Sequence, residues 1–149
     1  MTANVDPRDA LRRPDGVMAM LANDQRESLR ALTAAGRGGA EVADDDLRVF
    51  KTAVTRHLSP LVTAVLLDPG LGLTPARRAA IAPGCALIVA ADVLHQAPGG
   101  PVTGSSLDPG TTPELLREAG AAAAKLLVIR PSGTSAVERV DLVARFVAL

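Results

Sequence analysis

Lys125 is the residue of this sequence whose setting asks most for a chemical explanation. It lies inside an apolar run, residues 121–129. An ammonium there is costly unless a carboxylate pairs with it or the chain opens toward solvent beside it. Such a lysine is suited to proton transfer or to contact with a substrate oxygen. Asp24 ends another apolar run and is followed directly by Gln25 and Arg26. The triplet offers a proton acceptor, a hydrogen-bonding amide and a planar fork for an oxyanion. Asp68 and Asp92 stand just past two further apolar runs. Each residue also has a plainer role open to it. A strand-end carboxylate can cap the next helix, Arg26 can anchor a loop, and Lys125 can pair with an interior carboxylate.

Other reactive types carry less. His57 and His95 are the two histidines and share no ligand spacing, which weighs against a zinc site, and no metal or cofactor is expected. Cys85 is the single cysteine, so no intrachain disulfide forms, and at the head of an apolar run it reads as a small buried hydrophobe. Pro98-Gly-Gly-Pro101 and Gly104-Ser-Ser lack the lysine and spacing of a phosphate loop.

The elements that must position these groups follow from the hydrophobic pattern. Four apolar runs, residues 17–22, 64–67, 86–91 and 121–129, are near-continuous rather than alternating, as in parallel strands covered on both faces. Residues 44–58 begin with three acids, where the helix dipole favours them, and place Leu47, Phe50, Val54 and Leu58 on one face. Thr74-Pro75 and Thr112-Pro113 read as N-caps followed by proline at the first helical position, and Gly120 as a C-cap. Ser135 and Glu138 make a capping box for a last helix that turns Val140, Val143 and Val147 inward. Residues 96–112 are expected to form a long loop. The order β-α-β-α-β-α-β-α predicts an α/β fold with a parallel sheet and right-handed crossovers. Residues 1–15 are expected to be an N-terminal polar segment and residues 16–149 one domain. A flavodoxin-like sheet is the rival architecture; it wants five strands and helices on both faces.

Composition narrows the partners. Of 149 residues, 48% are apolar, and 16 acids balance 16 bases, so no electrostatic field favours nucleic acid or an anionic membrane. There is no Trp or Tyr, and Phe50 and Phe146 are the only aromatics of the Phe, Trp and Tyr group, which removes stacking platforms for single strands. No apolar run reaches the ~18 residues of a membrane span, and the chain reads as cytoplasmic.

Four segments, in order, resemble one family. Met20-Leu-Ala-Asn-Asp24-Gln25-Arg26 resembles the first strand and turn of the tagatose-bisphosphate and sulfofructosephosphate aldolases. Leu58-Ser-Pro60 with Ala64-Val-Leu-Leu-Asp68-Pro69 is similar to their second strand and its loop, and Cys85-Ala-Leu-Ile-Val-Ala-Ala-Asp92 to their third. Ala119-Gly120-Ala-Ala-Ala-Ala-Lys125 resembles the fourth, where the family carries a lysine.

The resemblance implies four βα units of a TIM (β/α)₈ barrel, a half-barrel, from a class I aldolase. Such an enzyme forms a lysine imine with a ketose phosphate and cleaves it to dihydroxyacetone phosphate and an aldehyde. It implies Asp24 and Lys125 as catalytic residues, with Gln25, Arg26 and Asp68 binding substrate. The family's lysine at this position assists and does not form the imine. The imine-forming lysine belongs to a sixth strand and a catalytic glutamate to a fifth, and these residues contain neither. A barrel of this type takes about 250 residues. The chain is therefore expected to pair as a homodimer or with a complementary C-terminal half-barrel chain. The alternative is a catalytically inactive half-barrel that binds a sugar phosphate or completes a partner.

Overall fold

The apolar runs pair as parallel strands. A computed structural model describes residues 7–97, 100–130 and 135–149. The first six residues, Pro98 and Gly99 of the Pro-Gly-Gly-Pro stretch, and Pro131 with the three residues after it lie outside the described residues. The strands are β1 (Met20–Asn23), β2 (Ala64–Leu67), β3 (Ala86–Ala90), β4 (Asp92–Gln96), β5 (Val102–Leu107) and β6 (Ala123–Lys125). One sheet runs β1-β2-β3-β6 with every pairing parallel, so the four expected strands lie side by side in chain order.

Residues opposite one another in register share a face of the sheet. Asn23, Leu67, Val89 and Ala124 form one row, and Leu21, Val65 and Leu87 another on the same face. On this face sit α2 (Asp44–Leu58), tied to Asn23 through Lys51 and Thr55, and α5 (Pro113–Ala119), which packs Leu116 and Ala119 against Val65, Leu67, Leu87 and Val89. Full burial of each such Val or Leu contributes roughly 1.5–3 kcal/mol, and this cluster is where the core lies. Placing both helices on one face departs from a doubly wound sheet. Across the sheet lie Ala22, Leu66, Ile88 and Ala123, then Ala90 beside Lys125. Ile88 and Ala90 are buried there, whereas Met20 and Ala22 at the β1 edge are exposed.

Local signals hold well at helix ends. Thr112 Oγ1 accepts from Leu115 N, Ser135 Oγ from Glu138 N, and Gly120 closes α5 at φ 66°. Helix α6 (Ala136–Val147) starts where its capping box places it. The Thr74-Pro75 signal leads only to a single turn, α4 (Pro75–Arg78), which follows another single turn, α3 (Pro69–Gly72), capped by Asp68.

The structure departs from expectation at four places. The expected loop of residues 96–112 contains a strand, β5, which pairs with β4 as an antiparallel hairpin with an irregularity between His95 and Gln96; Pro98 and Gly99 of that range lie outside the described residues. His95 therefore lies on a strand, with Nε2 2.9 Å from Ser106 Oγ. The hairpin is half-exposed, and Val102-Thr-Gly-Ser-Ser-Leu107 carries loop-type residues on a strand. A helix not foreseen, α1 (Glu27–Gly36), precedes α2; it buries no residue fully, and its Leu29 joins Val42, Leu47 and Leu71. In α6 the buried side chain is Leu142, while Val140, Val143 and Val147 are exposed, because α6 rests on β5 with its other side. Likewise α2 buries Leu47, Lys51 and Thr55 and leaves Phe50 half-exposed.

Candidate active site

The C-terminal ends of the parallel strands gather the charged residues, each for a local reason. Asp24 is the residue after β1 and, continuing the alternation, falls on the face opposite the helices. Lys125 ends β6 on that same face. Asp92 follows β3 after Ala91 and opens β4. Lys125 Nζ donates to Asp24 Oδ2 at 3.0 Å and lies 3.2 Å from Asp92 Oδ1. Asp92 is only 2% exposed, and its Oδ1 also accepts from Leu127 N at 3.0 Å.

An ion pair between the first and fourth strands constrains the sheet. Three lateral spacings of about 4.8 Å separate the outer strands of a flat four-stranded sheet. Asp24 and Lys125 meet only because the sheet curls toward the face that lacks helices. The contact spans 101 residues of sequence and bridges strands that share no hydrogen bond.

These groups line one cleft of about 300 Å³, together with Gln25, Arg26, Glu27 and Gln96, and with Leu94 and Leu127 as apolar walls. Four of the five residues chosen from sequence thus come together: Asp24, Gln25, Arg26 and Lys125. Gln25 is exposed and holds only a 3.4 Å contact to the Ala22 carbonyl, so its amide is available to a ligand. Arg26 donates from Nη2 to the Asp92 carbonyl at 2.7 Å, which makes it a strap between β1 and β4. Three carboxylates against two cations line the cleft, an unfavourable balance for a phosphate dianion. The arrangement suits work on carbonyl and hydroxyl oxygens, with an ammonium and two carboxylates able to polarise an oxygen and relay a proton.

Asp68 is placed elsewhere. It is fully buried, its carboxylate accepts from Leu71 N and Gly72 N, and it forms an ion pair with Lys51. Lys51 Nζ also donates to the Asn23 carbonyl at 3.0 Å. Burial pushes the Lys51 ammonium below its ordinary pKa, opposed by Asp68. This network locks α2 to the ends of β1 and β2, on the helix-bearing side of the sheet. Asp92 takes the place in the cleft expected of Asp68. Both aspartates follow apolar runs, and the distinguishing signal is the Pro69-Gly-Leu-Gly72 turn, which offers Asp68 two amides to cap.

The comparisons with known proteins point the same way. No family model matches the sequence. Over 69 residues, 46% of this chain, it is 36% identical to the tagatose 1,6-diphosphate aldolase 2 of Enterococcus faecalis (strain ATCC 700802 / V583), covering 20% of that protein. Over 113 residues, 76% of the chain, it is 34% identical to the tagatose 1,6-diphosphate aldolase 1 of the same organism, covering 33% of it. The similarity supports the aldolase family. The chain spans at most about a third of the length of these curated relatives. No helix among the described residues is long and apolar enough to cross a membrane.

Proposed function

We propose that this chain supplies the first half of a class I aldolase barrel and part of its active site. The observation that carries this reading is the Asp24–Lys125–Asp92 cluster, built from three strands at their C-terminal ends on the concave face of the sheet, where barrels of this kind do their chemistry. In-order parallel strands with α2 and α5 on one face support a half-barrel over an open doubly wound sheet.

In the proposed reaction a ketose phosphate, of the tagatose-bisphosphate or sulfofructose-phosphate type, is cleaved to dihydroxyacetone phosphate and an aldehyde. The Lys125 ammonium polarises a substrate oxygen, Asp24 accepts and returns a proton, and Gln25 holds a hydroxyl. Neither lysine of the chain is placed to form the imine. Lys51 is buried with Asp68, and Lys125 Nζ is occupied by two carboxylates. The imine-forming lysine and the phosphate grip therefore come from the strands that complete the barrel.

Mixing the chain with the C-terminal half of a tagatose 1,6-diphosphate aldolase tests this directly. The expected result is retro-aldol cleavage of tagatose 1,6-diphosphate by the mixture, falling about 10²–10⁴-fold with Lys125→Met in this chain, the usual size of a general acid–base contribution. A stable complex that binds the sugar phosphate without cleaving it would instead favour the non-catalytic, partner-completing reading. No complex and no cleavage would contradict both.

A further inference from the structure

Among the described residues two buried side chains have a polar atom without a hydrogen-bond partner, Thr111 at Oγ1 and Arg77 at Nη1, and only the second is charged. Arg77, in α4, is 1% exposed. Its Nε donates to Thr52 Oγ1 at 2.9 Å, but Nη1 has no hydrogen-bond partner among the described residues. A buried guanidinium with an idle donor is costly, since the desolvation of that N–H is not repaid. Burial works against its charge, and Asp68, the carboxylate that opposes this, is already shared with Lys51.

Arg77 lines a groove of about 360 Å³ between α2 and α4, on the outer side of the molecule. Arg48, Arg56, Thr52 and Thr74 line it too, with Val49 as an apolar wall, and no carboxylate does. Arg56 is exposed and Arg48 half-buried. Arg48 reaches back to Asp45 at 2.7 Å and Asp44 at 3.8 Å, so part of its charge is balanced at the rim. Three arginines and two threonines thus border a space that has room for a small ligand.

We propose that this groove is a binding site for a phosphate group, distinct from the strand-end cleft. Planar guanidinium forks grip tetrahedral oxyanions at two points, and the Thr74 hydroxyl adds a donor to a lining without an acceptor-only group; the Thr52 hydroxyl already donates to the Arg48 carbonyl at 2.7 Å and instead holds Arg77 in place. The site would take inorganic phosphate or a small phosphate ester whose carbon chain lies on Val49. Thr52 adjoins Lys51, so an occupied groove bears on the same turn of α2 that holds Asp68 and the ends of β1 and β2.

Thermal unfolding of the chain with increasing phosphate is the test, run beside potassium chloride of matched ionic strength and beside glycerol 3-phosphate. Phosphate is expected to raise Tm by about 2–6 °C well above its dissociation constant, with chloride giving none of this. A stronger response to glycerol 3-phosphate identifies an ester site, and an equal one a site for the phosphate group alone. Arg77→Met is expected to unfold no lower than wild type in phosphate-free buffer, and to lose the phosphate response. Arg56→Gln, at an exposed position, keeps the fold and weakens phosphate binding at least about five-fold. The Arg77 Nε–Hε resonance should move with the same midpoint as the Tm shift. The proposal is overturned by an unmoved Arg77 resonance, by equal responses in wild type and both variants, or by a chloride effect as large as that of phosphate. It is overturned also if an acidic peptide binds the groove while phosphate does not.

Discussion

At the scale of single residues, two lysines do opposite jobs. Lys125 joins two carboxylates at the edge of a cleft, and one of them, Asp92, is buried. Replacing Lys125 with Met leaves Asp92 without its cation and should cost about 1–3 kcal/mol in urea unfolding, less than a fully buried pair because the lysine is partly exposed. A loss under a few tenths of a kcal/mol would mean that the ion pairs do not hold the strand ends together. Lys51 is buried, and burial holds its ammonium below the ordinary lysine value of 10.5. A lysine of that kind binds fewer protons in the folded chain than in the unfolded one. Stability therefore rises with pH between its lowered native value and 10.5. Unfolding free energies of wild type and Lys51→Met across that range should separate in favour of wild type as pH increases. A difference that stays flat or shrinks would contradict the burial. The aspartates at the strand ends could be picked out from the sequence because each follows an apolar run. Which of them faces the cleft could not, since Asp68 and Asp92 differ only in what the next turns offer them.

At the scale of elements, end signals carry the fold and face signals mislead. Thr112→Ala removes the hydroxyl that accepts from Leu115 N and should cost about 1 kcal/mol, read by thermal or urea unfolding. Gly120→Ala is expected to cost a comparable amount, roughly 1 kcal/mol, because φ is 66° and the new Cβ would sit 3.3 Å from Arg78 Nη2. Caps of this sort are legible because one hydroxyl and one amide decide them locally. The hairpin β4–β5 was not legible, since Gly104, Ser105 and Ser106 are turn-type residues that pair here only because β4 lies alongside. The valine stripe of α6 is a true helical pattern, yet only Leu142 finds a neighbour. Periodicity shows which side of a helix is apolar, but packing decides which side is covered.

At the scale of the whole molecule, the sheet is open in the sense that matters for function. Among the described residues β1 pairs only with β2 and β6 only with β3, and the concave face is exposed at Met20 and Ala22. Unpaired edges and exposed apolar surface favour association. Sedimentation equilibrium is therefore expected to show self-association that increases with concentration, and a monomer throughout would count against the proposed half-barrel. Lys125 is proposed to serve the cleft without forming the imine. Borohydride trapping of the folded chain with dihydroxyacetone phosphate, read by intact mass and peptide mapping, addresses this most directly, because the sequence holds only two lysines to assign. No adduct is expected on Lys125 or Lys51. A reduced adduct mapped to Lys125 would mean that this chain makes its own imine, and the reading of it as an incomplete site would be wrong.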